Sequence, residues 1–191
     1  DPDYGSHFDV SLTQDLDLYD WELPSVGHGN TVFSGNFKGN GHKLTNVNMQ
    51  NGYLFEHVMD CAISNLRIES VHNLSLVRKA VPDGPTGWGC YISGISLMCN
   101  STACSIADTL QGTSYVVGCI HVGNSTKPLV GVADDLMMLG CMQAASGIPS
   151  GTGALLGAYG EDAESAFFAP LRGHDIEWGV FMCNYYDIEK S

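Results

Sequence analysis

The residues able to do chemistry are few and widely spaced. Asp134-Asp135 is an adjacent carboxylate pair, and paired carboxylates hydrolyse glycosides when one is kept protonated and the other ionised. As sequence neighbours they read first as a solvated turn. Glu161, Asp162 and Glu164 cluster oxygens that could hold calcium, or form a solvated acidic loop. Trp178, Tyr185 and Tyr186 could make an aromatic platform for a sugar, or cap the end of the fold. The seven histidines show no metal-binding pair at i,i+2 or i,i+4. Gly147-Ile148-Pro149-Ser150-Gly151 contains a serine, but Pro149 spoils a nucleophile elbow. No catalytic constellation, metal site or cofactor motif is assembled by these residues, so none is expected.

The seven cysteines lie at 61, 90, 99, 104, 119, 141 and 183. No paired CxxC suggests zinc, and the odd count excludes complete internal pairing. Cys99, Cys119, Cys141 and Cys183 each sit in a short apolar run, and they recur at a nearly constant interval or twice that interval. Recurrence of this kind marks a solenoid. Equivalent side chains then stack at the strand spacing of about 4.8 Å, and a small soft thiol stacks well inside such a column.

Composition supports the same architecture. The chain is 44% hydrophobic but 15% charged, with 23 glycines among 191 residues, which suits short strands and frequent corners. Its formal charge of −13 repels phosphate backbones, so nucleic acid is excluded as a partner. No apolar run is long enough for a membrane helix. Asp1-Pro2-Asp3 reads as the start of a mature or excised segment, so residues 1–191 are expected to be one domain of a longer protein.

Alternation at period two locates the strands. Leu44, Val47 and Met49 are inward candidates, and Leu66 and Ile68 oppose Arg67 and Glu69. Residues 72–90, with Arg78-Lys79 and Pro82-Asp83-Gly84-Pro85, read as an irregular inserted loop. The run Phe33-Ser34-Gly35-Asn36-Phe37-Lys38-Gly39-Asn40-Gly41-His42 packs glycines and asparagines at a corner, making Gly35, Gly39, Asn40 and Gly41 structural. A phosphate loop would need a helix and a Lys-Ser/Thr pair, whereas Lys43-Leu44-Thr45 continues as a strand.

That run, preceded by Leu16-Asp17-Leu18 and Trp21 and followed by Leu44-Thr45-Asn46-Val47, resembles the opening of GLUG-motif repeat proteins. Tyr53-Leu54-Phe55 and Ile63-Ser64-Asn65-Leu66 resemble a further unit, so the resemblance spans about residues 10–71. It implies a right-handed parallel β-helix of a secreted or cell-surface bacterial protein, and no catalytic residues. Gly27-His28-Gly29 echoes an element of the polygalacturonase signature, but its order relative to the acidic pair is reversed.

The sequence therefore predicts an all-β, right-handed, single-stranded parallel β-helix of about nine rungs of roughly 21 residues. Function divides three ways: an adhesin or stalk binding host or cell-surface protein or glycan through its loops, a carbohydrate-active enzyme, or a subunit joined end to end.

Overall fold

The computed structural model describes residues 8–82, 84, 87–145, 156–159, 180–182 and 185–186. They form an all-β, parallel β-solenoid of about five turns, without a helix among them. The chain begins with β1 (Phe8–Ser11), β2 (Leu16–Asp17) and β3 (Glu22–Leu23). Then follow β4 (Phe33–Lys38), β5 (Lys43–Thr45) and β6 (Asn48–Met49), and next β7 (Tyr53–Ser64) and β8 (Arg67–Ser70). The following turn holds β9 (Ser75–Val81), β10 (Trp88–Ser93) and β11 (Ser96–Cys99). After it come β12 (Ala107–Val117) and β13 (Ile120–Gly123), then β14 (Val130–Leu139) and β15 (Met142–Ala145). Last are β16 (Leu156–Tyr159), β17 (Val180–Met182) and β18 (Tyr185–Tyr186).

Three faces result. Face A stacks the first half of β7 on β9, the first halves of β12 and β14, and β16. Face B stacks β1, β4, the second half of β7, β10, the second halves of β12 and β14, and β17. Face C stacks β2, β5, β8, β11, β13, β15 and β18.

Alternation places one column of each face inside. On face B the inward column is Phe37, Ile63, Ile92, Val116 and Met138, and on face C it begins Leu16, Leu44, Ile68 and Leu97. Ile63, Ile68, Ile92 and Leu97 are fully buried, each contributing roughly 1.5–3 kcal/mol of hydrophobic stabilisation. Phe55 joins face A to face B, with Phe33 and Phe37 at ring separations of 5.2 and 5.3 Å.

The turn from face B to face C repeats most regularly. Asn65, Gly94, Gly118 and Gly140 each take φ between 52° and 61°, and each is followed by an inward residue: Leu66, Ile95, Cys119 and Cys141. One left-handed residue turns the corner, and its apolar successor plugs the interior. Glycine takes that conformation without penalty and asparagine at low cost. Gly39 acts differently. Its φ is not positive, and a Cβ there would come within 2.3 Å of the Asn65 carbonyl oxygen, so it serves close packing between turns.

Three expectations are corrected. There are about five turns, not nine, because each turn consumes more of the chain than the cysteine interval suggests. The stacked positions Leu16, Leu44, Ile68, Leu97, His121 and Gln143 follow one another at unequal steps; that from His121 to Gln143 equals the Cys119-to-Cys141 interval, and the others are longer. Residues 72–90 are not an irregular loop, since they contain β9, with Leu76, Val77 and Ala80 fully buried, and the start of β10. The four cysteines do not share one column. Cys119 and Cys141 occupy the corner column, whereas Cys99 lies in β11 opposite Gly123 and is disulfide-bonded to Cys104. Cys183 lies outside the described residues.

Candidate binding cleft and charge ladder

Two surface constellations stand out, one on face B and one on face A. On face B the outward column runs Asp9, Asn36, Ala62, Tyr91, Tyr115 and Met137. Small side chains at Gly35 and Ala62 leave a depression beside the large rings of Tyr91 and Tyr115. The result is a cleft of about 480 Å³, lined also by Asn36, Asp60, Cys61, Trp88 and Cys90.

Backbone irregularities shape this cleft. The β4–β7 register slips between Phe33 and Gly35, leaving an extra residue on β7, and Asp60 there adopts φ 44°. A second slip between Trp88 and Tyr91 puts an extra residue on β10. Such bulges bend a strand and re-aim its side chains. They occur where the chain bends from face A into face B, and they carry Asp60 and Trp88 to the rim.

Trp88 stacks on Tyr115 at 5.6 Å and 25° between planes, while Tyr91 leans on Tyr115 at 6.0 Å. Trp88 is 59% exposed and Tyr91 44% exposed. Large rings left in water at this level, and ordered against one another, form a contiguous apolar patch of the kind that marks an interaction surface. Asp60 is exposed beside them, and the Asn36 amide donates to Asp9 at 2.7 Å, giving a polar margin that can orient hydroxyl groups.

On face A, register places Glu56, Arg78 and Asp108 in one outward column, because Phe55, Val77 and Ala107 pair in sequence beside them. Arg78 donates to Glu56 at 2.6 Å, and Lys127 donates to Asp108 at 2.9 and 3.0 Å. His28 meets the other Glu56 oxygen at 2.6 Å. Tyr53 lies between the two pairs, donating to Asp108 at 2.7 Å with Arg78 and Lys127 each within 5.8 Å of its ring centroid.

These contacts fix the protonation states. The His28 hydrogen bond, with help from Asn51 and Arg78 against the opposing effect of burial, holds the Glu56 carboxyl below its usual value. Burial works to raise that of Asp108, but hydrogen bonds from Ser105, Lys127 and Tyr53 outweigh it and the carboxyl is lowered. Burial, then the Asp108 carboxylate, pushes the Tyr53 phenol up to about 12. At neutral pH the ladder thus holds two carboxylates and a neutral phenol. Neither carboxyl is kept protonated as a general acid for glycoside cleavage must be.

The residues singled out from sequence fare differently. Asp134 and Asp135 lie within strand β14 and not in a turn, and Asp135 accepts a hydrogen bond from Thr113 on the neighbouring strand at 2.7 Å. Glu161, Asp162, Glu164 and Trp178 lie outside the described residues. Tyr185 and Tyr186 form β18 and pair with Met142 and Gln143 at the backbone. Asn40 turns with φ 53° and donates to the Leu12 carbonyl, Gly41 takes φ 79°, and Gly35 takes φ 121° against the backbone of Phe8. Sequence reasoning missed Trp88, Tyr91 and Tyr115. Their signal was faint: tyrosines at 91 and 115 fall at matching places in two strands of similar pattern.

No group of three or more metal-ligating side chains is found among the described residues. Neither a known protein family, a curated protein nor a solved structure matches the chain.

Proposed function

We propose that this chain is a non-enzymatic module of a secreted or cell-surface bacterial protein, a right-handed β-helix that binds a glycan in the face B cleft. The carrying observation is the Trp88–Tyr115 stack with Tyr91 beside it, exposed and ordered on a rigid sheet. Flat aromatic rings bury the apolar face of a pyranose, and carboxylates and amides at the margin accept and donate to its hydroxyls. Both arise here from adjacent strands, so little ordering entropy is lost on binding.

Several features support the setting. The opening resembles that of surface proteins with GLUG motifs, the Cys99–Cys104 disulfide suits an oxidising compartment, and the strong acidity suits solubility there. On this reading the ligand lies on a sheet face, beside the loops that the sequence offers as binding elements. The enzymatic alternative has its best footing in the face A ladder, where carboxylates and cations lie within hydrogen-bond distance. There, however, each ionised group is occupied by its neighbour.

The test is a glycan array followed by calorimetry on the hits. Trp88→Ala and Tyr115→Ala are expected to weaken binding at least tenfold with an unchanged β-sheet circular dichroism spectrum. Unaltered affinity in both variants would remove the cleft as the site. Turnover of any bound polysaccharide, lost in Asp108→Asn, would establish the enzyme instead.

A further inference from the structure

The floor of the cleft carries an unassigned pair of thiols. Cys61 in β7 and Cys90 in β10 face each other in register across adjacent parallel strands, with sulfurs 2.9 Å apart. Cross-strand register partners hold their Cα atoms about 4.8 Å apart, inside the 4.4–6.8 Å range that a disulfide spans. The two residues are 7% and 3% exposed, and the next inward side chains along their strands are the apolar Ile63 and Ile92.

We propose that Cys61 and Cys90 form a disulfide that staples two successive turns directly beneath the aromatic cleft. The inference is independent of what the cleft binds. The chain already bridges Cys99 and Cys104 in the same part of the solenoid, so conditions that form one bond are available to the other. The oxidant is a low-molecular-weight disulfide such as oxidised glutathione. A thiolate of the pair attacks it, releasing one small thiol and leaving a mixed disulfide; the second cysteine then attacks the protein sulfur and releases the other. One protein S–S bond forms, one small-molecule S–S bond breaks, and the two electrons and two protons end on two small thiols.

Timing follows from the surroundings. In the folded chain the neighbouring Cys61 sulfur, and then burial, push the Cys90 thiol well above its usual value. With both cysteines covered in the folded chain, a small-molecule oxidant reaches them while the turns are still closing. Once formed, it ties Asp60-Cys61-Ala62 to Cys90-Tyr91, which line the cleft.

Peptide mapping tests this. Trypsin releases Leu44–Arg67, in which Cys61 is the sole cysteine. Protein refolded in a glutathione couple is denatured without reductant, alkylated and digested, and cross-linked peptides are fragmented to locate the bond. The expectation is that Cys61 is unalkylated, is recovered cross-linked to Cys90, and becomes alkylated after reduction. In Cys90→Ser it should be alkylated without reductant, while in Cys104→Ser it should stay protected. Full alkylation of Cys61 in the wild type without reductant would overturn the proposal. So would a cross-linked peptide that joins Cys61 to a different cysteine.

Discussion

The Nδ1 atom of His121 lies 2.9 Å from the side-chain oxygen of Gln143, one turn further along the face C interior, and both residues are buried. They continue the inward column of Leu16, Leu44, Ile68 and Leu97, so a polar rung replaces an apolar one. Gln143 in turn donates to the Lys127 carbonyl at 3.0 Å. The Nε2 atom of His121 has no hydrogen-bond partner.

That arrangement predicts a specific acid sensitivity. Burial, partly offset by Gln143, lowers the His121 pKa from 6.5 to about 4. The folded state therefore prefers neutral imidazole, and the unfolded chain takes up a proton first as pH falls. Stability from this group is present in full above pH 6.5 and is lost as pH falls from there toward 4, by up to about 3 kcal/mol. Urea titrations at pH 7 and pH 5 should show the loss in the wild type and a smaller one in His121→Leu. Equal losses in the two proteins would assign the acid sensitivity to other groups.

The ladder on face A predicts a modest, measurable coupling. Arg78 is about half exposed while Glu56 is covered, so their ion pair is neither a free surface pair nor a deeply buried one. A double-mutant cycle of Glu56→Gln and Arg78→Gln should return a coupling of roughly 0.5–1 kcal/mol. Glu56→Gln alone should also weaken the hold on His28. Repeating the cycle at high salt is expected to reduce the coupling without abolishing it, and a coupling of zero at low salt would reduce the ladder to a coincidence of rotamers.

Corner geometry gives a third prediction. Gly118 turns the chain from face B to face C at φ 60°, and a Cβ there would meet nothing within 4 Å. Any cost of Gly118→Ala is therefore conformational. It should be about 1–2 kcal/mol. Gly118→Asn should cost less, since Asn65 already fills the equivalent corner at φ 52°. Chemical denaturation of both variants checks the ranking, and an alanine variant as stable as the wild type would contradict it.

Those corners also explain what could be read in the linear chain. Leu44, Val47, Met49, Leu66 and Ile68 are all buried, and period-two alternation locates them because inward and outward positions differ in polarity. Turn length was obscured because corners absorb different numbers of residues. The excursion through Pro82 alone separates β9 from β10, whereas β7, β12 and β14 pass from face A to face B without a break. The cysteine rhythm matched a true step of the solenoid only between Cys119 and Cys141. Cys99 sits at a different place in its turn, where Ile95 is the counterpart of Cys119. Neither surface constellation had a local signature, because Trp88 and Tyr115, like Glu56 and Arg78, meet only through the register of the stack.

The cleft itself makes the last prediction. Ala62 stands in the outward column of face B between Asn36 and Tyr91, and its small side chain keeps the depression open. Ala62→Trp would fill the space in which a ligand must lie. An outward ring on this face needs no cavity in the core, so the melting temperature should change by no more than about 2 °C. Affinity for the glycan found on the array should nevertheless fall at least tenfold, through exclusion and not through lost contacts. Lys38→Trp, placed on the same strand face but outside the cleft lining, supplies the control and should bind as the wild type does. If the ligand occupies the cleft, the two variants separate; if Ala62→Trp binds normally, the ligand lies elsewhere on the solenoid.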